Sequence, residues 1–167
     1  MGAKAEKTNV MRLLDQKKLS YREYSYDGAD GTLSGAQIAQ MLGQNSEKVF
    51  KTLVTVGKSG KNYVFMVPVE EELDLKKAAK AAGEKSIAMI RSKELLPLTG
   101  YIHGGCSPIG MKKPFLTFAH KTMEQLDTVF FSGGRIGFQV EMTPADLQKA
   151  VRIGYADIIV SDAAGEL

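Results

Sequence analysis

Apolar residues recur along the chain at two distinct periods. Val10, Leu13 and Leu14 stand at i, i+3 and i+4 behind Thr8, which predicts a short helix capped by that threonine. Ser34 and Gln37 form a capping box, Ile38, Met41 and Leu42 supply an apolar stripe, and Gly43 supplies the stop of a second helix. Asn45 or Ser46 caps one further turn through Phe50. Asp74 caps a helix over Leu75 to Ala82 that Gly83 closes. Ser92, Leu95 and Leu96 predict another short helix, broken by Pro97. Thr143 and Pro144 open a last one, with Leu147, Ala150 and Val151 as its stripe.

The second period is that of strands. Tyr21 to Tyr26 alternates, with Arg22, Tyr24 and Tyr26 on one side. Asp27 to Gly31 reads as a turn or loop. Thr52 to Val56 and Tyr63 to Val69 are β-branched and apolar runs around Lys58-Ser59-Gly60-Lys61, a hairpin signal. Pro68 ends the second of these strands or puts it at an edge. Shorter strands are predicted at Ser86 to Ile90, Tyr101 to His103, Phe115 to Phe118, Thr128 to Phe131, Phe138 to Met142 and Asp157 to Val160. Strands and helices alternate too irregularly for repeated βαβ units. The expected class is α+β, with a mixed, curved or barrel-like sheet surrounded by short helices. No repeat or linker divides the chain, so residues 1–167 are expected to form one domain.

Composition narrows the function classes. The chain has 167 residues, 44% hydrophobic and 25% charged, enough to bury a core without disulfides or metal. Its net charge of +3 permits a polyanionic partner without requiring one. A single cysteine excludes an internal disulfide, and Cys106, His103 and His120 are a thin set of ligands for zinc. No cofactor is implied. Met1 to Asn9 lacks an apolar signal core, and the run Tyr63 to Val69 is far too short to span a bilayer. A cytoplasmic location is expected.

Several residues could carry chemistry. Cys106 follows His103 by three positions in a glycine loop, yet no Asn or Asp is placed to orient the histidine, and a lone cysteine is usually a small buried hydrophobe. Gly104-Gly105-Cys106-Ser107-Pro108-Ile109-Gly110 fits neither the Walker pattern nor G-x-G-x-x-G. It is either a tight structural turn or backbone whose N–H groups meet an anion or a developing oxyanion. Lys51 opens an apolar strand beside Val49, Phe50 and Leu53. It is either an edge gatekeeper or a cation held at a cleft by its buried stem. Lys76, Lys77, Lys80, Lys112 and Lys113 could meet a sugar–phosphate backbone or simply face solvent. Tyr21, Tyr24 and Tyr26 could stack on a base or form a half-buried strand.

Four blocks occur together in order: Val49-Phe50-Lys51-Thr52-Leu53, then Leu73-Asp74-Leu75-Lys76-Lys77, then Thr99-Gly100-Tyr101 leading to the glycine loop, then Ser132-Gly133-Gly134. In this the chain resembles the YbaK/EbsC family, relatives of the editing domain of bacterial prolyl-tRNA synthetases, over roughly Val10 to Ile158. The resemblance implies an aminoacyl-tRNA deacylase of lyase or hydrolase type, whose best-known branch clears cysteine from tRNA(Pro). It implies catalytic roles for Lys51, Gly104, Gly105 and Ser107, and substrate contacts from Tyr26, Cys106, Pro108 and Gly134. It further implies an aminoacyl-tRNA acceptor end as substrate, a transient complex with prolyl-tRNA synthetase, and no metal. Gln139 stands where some members carry an acidic residue. The competing readings are a deacylase of another misacylated tRNA, such as Ala-tRNA(Pro), and a non-catalytic tRNA- or synthetase-binding module.

With no Ser-His-Asp, Cys-His-Asn or metal constellation at convincing spacing, the activated ester needs mainly positioning and polarisation. In the manner the resemblance implies, the substrate's own thiol attacks its carbonyl and expels the tRNA.

Overall fold

The computed structural model describes residues 7–27 and 33–161. In chain order the elements are α1 (Asn9–Gln16), β1 (Arg22–Ser25), α2 (Gly35–Met41), β2 (Phe50–Gly57), β3 (Asn62–Pro68), α3 (Leu75–Ala82), β4 (Ile87–Met89), α4 (Ser92–Thr99), β5 (Leu116–His120), β6 (Val129–Ser132), β7 (Phe138–Met142), α5 (Pro144–Ala150) and β8 (Ile153–Ala156). Short 3-10 turns occupy Ser46–Lys48 and Lys121–Gln125. Part of the loop expected at Asp27 to Gly31 lies outside the described residues.

The expected caps form. The side chains of Thr8, Ser34, Asp74 and Thr143 accept hydrogen bonds from N–H groups in the first turns of α1, α2, α3 and α5. The hairpin also forms, with Lys51 paired to Val67 and Thr55 to Tyr63. Pro68 is the last residue of β3, but β3 lies in the sheet interior, so the proline marks an end and not an edge.

The α+β class and the mixed sheet hold, and of the curved or barrel-like forms expected the sheets take an open one. The strands make two open sheets, ordered β1-β7-β6 and β4-β2-β3-β5-β8. The second is mixed: β2 is antiparallel to β3 and β4, while β5 runs parallel to β3 and β8. A parallel bridge between Val49 and Phe130 joins the sheets where β2 begins.

Three local expectations also change. Pro97 does not break α4, which runs on to Thr99. The ring removes one backbone bond, and the last turn is closed by Thr99 Oγ1 donating to Leu95 O and Gly100 N–H donating to Leu96 O, both at 2.8 Å. Tyr101 to His103 is not a strand; Tyr101 is buried as a pillar whose hydroxyl donates to Ile109 O. The last strand falls earlier than expected, at β8, with Asp157 to Val160 contributing only the Leu73–Ile159 bridge. Gly154 conceals β8 from a β-propensity reading, but the Phe118 ring stands 3.2 Å from where its Cβ would be.

The largest core lies between the sheets and under α1 and α5, around Met11, Leu14, Met66, Phe131, Val140 and Leu147. A second packs α3 through Ala78 and Ala79 onto Phe65, Val67 and Ile158. A third is small: Ala39 of α2 against Val49 and Phe130. Each fully buried large side chain contributes roughly 1.5–3 kcal/mol. Among the described residues no helix is long and apolar enough to cross a membrane.

Candidate functional site

A cleft of about 550 Å³ opens along the edge of β2 that β4 leaves uncovered, while β3 stays paired on the other side. Residues 50–54 of β2 run past the end of β4, which pairs only with Thr55 to Gly57. The walls are that stretch of β2, α2, the β4–α4 junction, the glycine loop, and the facing ends of β6 and β7.

Lys51 lines this cleft and is half-buried. No carboxylate of the described residues forms an ion pair with it. Burial pushes its pKa below the usual lysine range, and the charges of Glu72 and Glu71 only partly offset that. A cation so placed is available to an incoming anion or a developing oxyanion.

The glycine loop reaches the same cleft with Gly104 and Cys106, and His103 and Tyr26 also border it. Gly105 N–H donates to Ile102 O at 2.9 Å, closing a turn in which Gly104 has φ +90°. Gly105 itself is buried against the β6–β7 turn, where a Cβ would stand 3.2 Å from Ile136 N. The Cys106 thiol is pushed up to about 12 by burial, so it is a protonated thiol at neutral pH and a poor nucleophile.

Other sequence-predicted residues stand behind the cleft. Ser107 is fully buried and its Oγ accepts from Ile109 N–H at 3.3 Å. That hydroxyl shapes the loop and does not face the cleft. Pro108 is buried and borders a separate hollow on the far side of the loop, lined also by Lys113 and Arg152. Gly134 packs on α1, where a Cβ would come within 2.8 Å of Val10 Cγ2, and it is not part of the cleft wall.

Of the three tyrosines only Tyr26 reaches the cleft. Tyr24 donates to Glu141 Oε1 at 2.6 Å and stacks edge-on against Phe130, and Tyr21 donates to Asp15 Oδ1 at 2.9 Å. Lys77 is committed to Asp157, to Ile159 O and to Ser161 Oγ. His120 is buried, accepting from Ile158 N–H through Nδ1 at 3.3 Å, and burial lowers its pKa. Among the described residues no three His, Cys, Asp or Glu side chains converge to hold a metal ion.

Sequence reasoning missed Arg91 and Ser92 at the β4–α4 junction and Ile38 on α2, all cleft-lining. In the sequence Ile38 reads only as part of the apolar stripe of α2. Arg91 gives no chemical signal in the sequence; in the structure it is the N-cap of α4.

A family model described as the aminoacyl-tRNA editing domain matches residues 31–150. The chain is 41% identical to an Enterococcus faecalis protein provisionally named Cys-tRNA(Pro)/Cys-tRNA(Cys) deacylase EbsC, over 94% of this chain and 96% of that protein. Among solved structures, the hypothetical protein APE2540 superposes with a TM-score of 0.83 at 23% identity, covering 92% of this chain and 100% of its own. A protein described as a candidate trans-editing enzyme for prolyl tRNA synthetase superposes with a TM-score of 0.78 at 24% identity, covering 93% and 100%.

Proposed function

The chain belongs to the aminoacyl-tRNA editing domain family, and from that membership we propose that it deacylates mischarged Cys-tRNA(Pro), and Cys-tRNA(Cys) as well, acting as one editing domain over its whole length. The observation that carries the reading to a site is the meeting of Lys51, Gly104 and Cys106 in one cleft, although Lys51 and Gly104 are 53 positions apart in the sequence.

An aminoacyl ester is already activated, so the protein needs mainly to position and polarise it. The substrate's cysteinyl sulfur attacks the ester carbonyl carbon. A C–S bond forms, the bond to the ribose oxygen breaks, and the thiol proton ends on that oxygen. The products are a cyclic thiolactone and free tRNA.

Lys51 supplies positive charge near the ribose–phosphate end and the departing oxygen. Backbone of Gly104 and Cys106 borders the carbonyl, while Gly105 N–H and the Ser107 hydroxyl hold the loop in shape. Positioning and electrostatic preorganisation can each contribute several kcal/mol, on the order of 3–10. Tyr26, Ile38 and Phe138 bound the space for a small side chain.

On the same reading, a transient complex with prolyl-tRNA synthetase delivers the acceptor end, in the cytoplasm where aminoacylation occurs. The modest net charge of +3 fits a chain that depends on such a complex for tRNA affinity.

The test is single-turnover release from tRNA(Pro) carrying cysteine, S-alkylated cysteine, serine or alanine. Cysteine should leave much faster than the rest, because a thiol is far more nucleophilic than a hydroxyl at neutral pH. Equal rates for cysteine and serine would assign the attack to water or to the protein.

A further inference from the structure

We propose that Gln44 and Gln139 form a clasp that sets the width of the cleft by holding α2 against β7, which makes Gln44 a positioning residue for the aminoacyl group. The kinetic part of this inference rests on the deacylase reading; the structural part does not.

The two amides are 95 residues apart and bond reciprocally. Gln44 Nε2 donates to Gln139 Oε1 at 2.6 Å, and Gln139 Nε2 donates to Gln44 Oε1 at 3.0 Å. Gln139 is only 4% exposed and lines the cleft, whereas Gln44 lies behind the wall.

Gln44 is coupled rigidly to α2. Gly43 has φ +66° and Gln44 N–H donates to Ala39 O at 2.9 Å, which is the closing bond of a Schellman turn. A pull on the Gln44 side chain is therefore a pull on the helix end.

The helix needs such an anchor. It has seven residues and buries only Ala39, yet Gly35, Ile38 and its cap Ser34 form one wall of the cleft. At its other end Gly35 sits against Val69, where a Cβ would come within 2.5 Å of Val69 Cγ1. The wall is thus held at three points: the contact of Gly35 with Val69 at the start of α2, Ala39 packed on Val49 and Phe130 in its middle, and the amide clasp just beyond its end. Sheet register gives the clasp a firm footing, because Gln139 pairs with Tyr24 on one side and Ser132 on the other.

The experiment compares wild type with Gln44→Ala, Gln44→Glu, Gln139→Ala and Gln44→Ala/Gln139→Ala. Two measurements are made on each: amide hydrogen exchange, and steady-state discharge of Cys-tRNA(Pro). In Gln44→Ala, exchange at α2 should accelerate by roughly tenfold or more while β3 and β5 stay unchanged. KM should rise by about fivefold with kcat changed less than twofold, the pattern of lost positioning without lost chemistry. Gln44→Glu keeps an acceptor for Gln139 Nε2 and should lie between the two in both measurements. The double variant should be no worse than the poorer single one, since both break the same contact.

Unchanged α2 exchange in Gln44→Ala would overturn the clasp, as would additive effects in the double variant. If Gln44→Ala fails to fold, Gln44→Glu carries the same comparison, and wild-type exchange at α2 in that variant overturns the proposal. A wild-type protein that leaves Cys-tRNA(Pro) intact would sink the deacylase reading alone, because the exchange comparison still decides the clasp.

Discussion

Gly105 lies so close to Ile136 that a Cβ on it would stand 3.2 Å from the Ile136 nitrogen and 3.3 Å from the Arg135 backbone. The glycine loop and the β6–β7 turn thus touch backbone to backbone, and the contact fixes how far Gly104 and Cys106 reach into the cleft.

Gly105→Ala must push the two loops apart by a few tenths of an ångström. Overpacking of this kind costs roughly 1–3 kcal/mol. The expected outcome is a folded protein with a lowered melting temperature and a turnover reduced by about tenfold or more, since small misplacements in a site are costly. Thermal melts and single-turnover discharge of Cys-tRNA(Pro) check both. A wild-type rate would detach the loop contact from the chemistry.

Lys51→Met should separate activity from stability. Discharge should fall by roughly 10² or more, the usual loss when one electrostatic contact is removed from a site. Stability should stay level or rise, because folding half-buries this charge and the charges of Glu72 and Glu71 only partly offset that cost. The sign with pH follows from the lowered pKa. Below the folded-state value both states hold the proton, and the folded state bears the cost of burying the charge. As pH rises from there towards the ordinary lysine value, the unfolded chain keeps a proton that the folded one has released, so wild type gains stability. The stability advantage of Lys51→Met should therefore be largest at neutral pH and shrink in the alkaline range, as denaturant titrations at a series of pH values would show.

Cys106→Ala should retain discharge within about tenfold, or ~1.4 kcal/mol in the barrier. The thiol is held protonated by burial, with its pKa pushed up to about 12. For the same reason Cys106 should react with iodoacetamide at pH 8 much more slowly than a free cysteine. Loss of all turnover in a folded Cys106→Ala protein would restore a nucleophilic role for the thiol.

Tyr101→Phe removes the hydroxyl that donates to Ile109 O and leaves that carbonyl without its partner. A buried group so orphaned costs roughly 1–3 kcal/mol. The Ser107–Ile109 segment should loosen, with faster amide exchange at Ile109 than in wild type and lower discharge. Unaltered exchange there would show that Ser107 alone holds the loop.

What the sequence determined by itself is local or is carried by motif order. Thr8, Ser34, Asp74 and Thr143 cap their helices because the atoms involved lie two or three residues apart, so no distant contact is needed to bring them together. The β2–β3 hairpin is legible for the same reason. Lys51 and the glycine loop could be singled out as candidates, since a lysine beside an apolar strand and a glycine-rich turn each announce a chemical possibility. Their standing on one cleft is a tertiary matter.

Only the tertiary structure separated residues that look alike in sequence. Gly104 and Cys106 reach the cleft while Ser107 and Pro108 point behind it, because the Gly105–Ile102 bond and the Tyr101 pillar decide which way the loop turns. The division of the strands into two open sheets, the parallel pairing of β5 with β3, and the joining of Gln44 to Gln139 across 95 residues are likewise long-range. Such contacts form where the chain closes large loops, and their energy depends on the packing of many side chains at once, which no local pattern encodes.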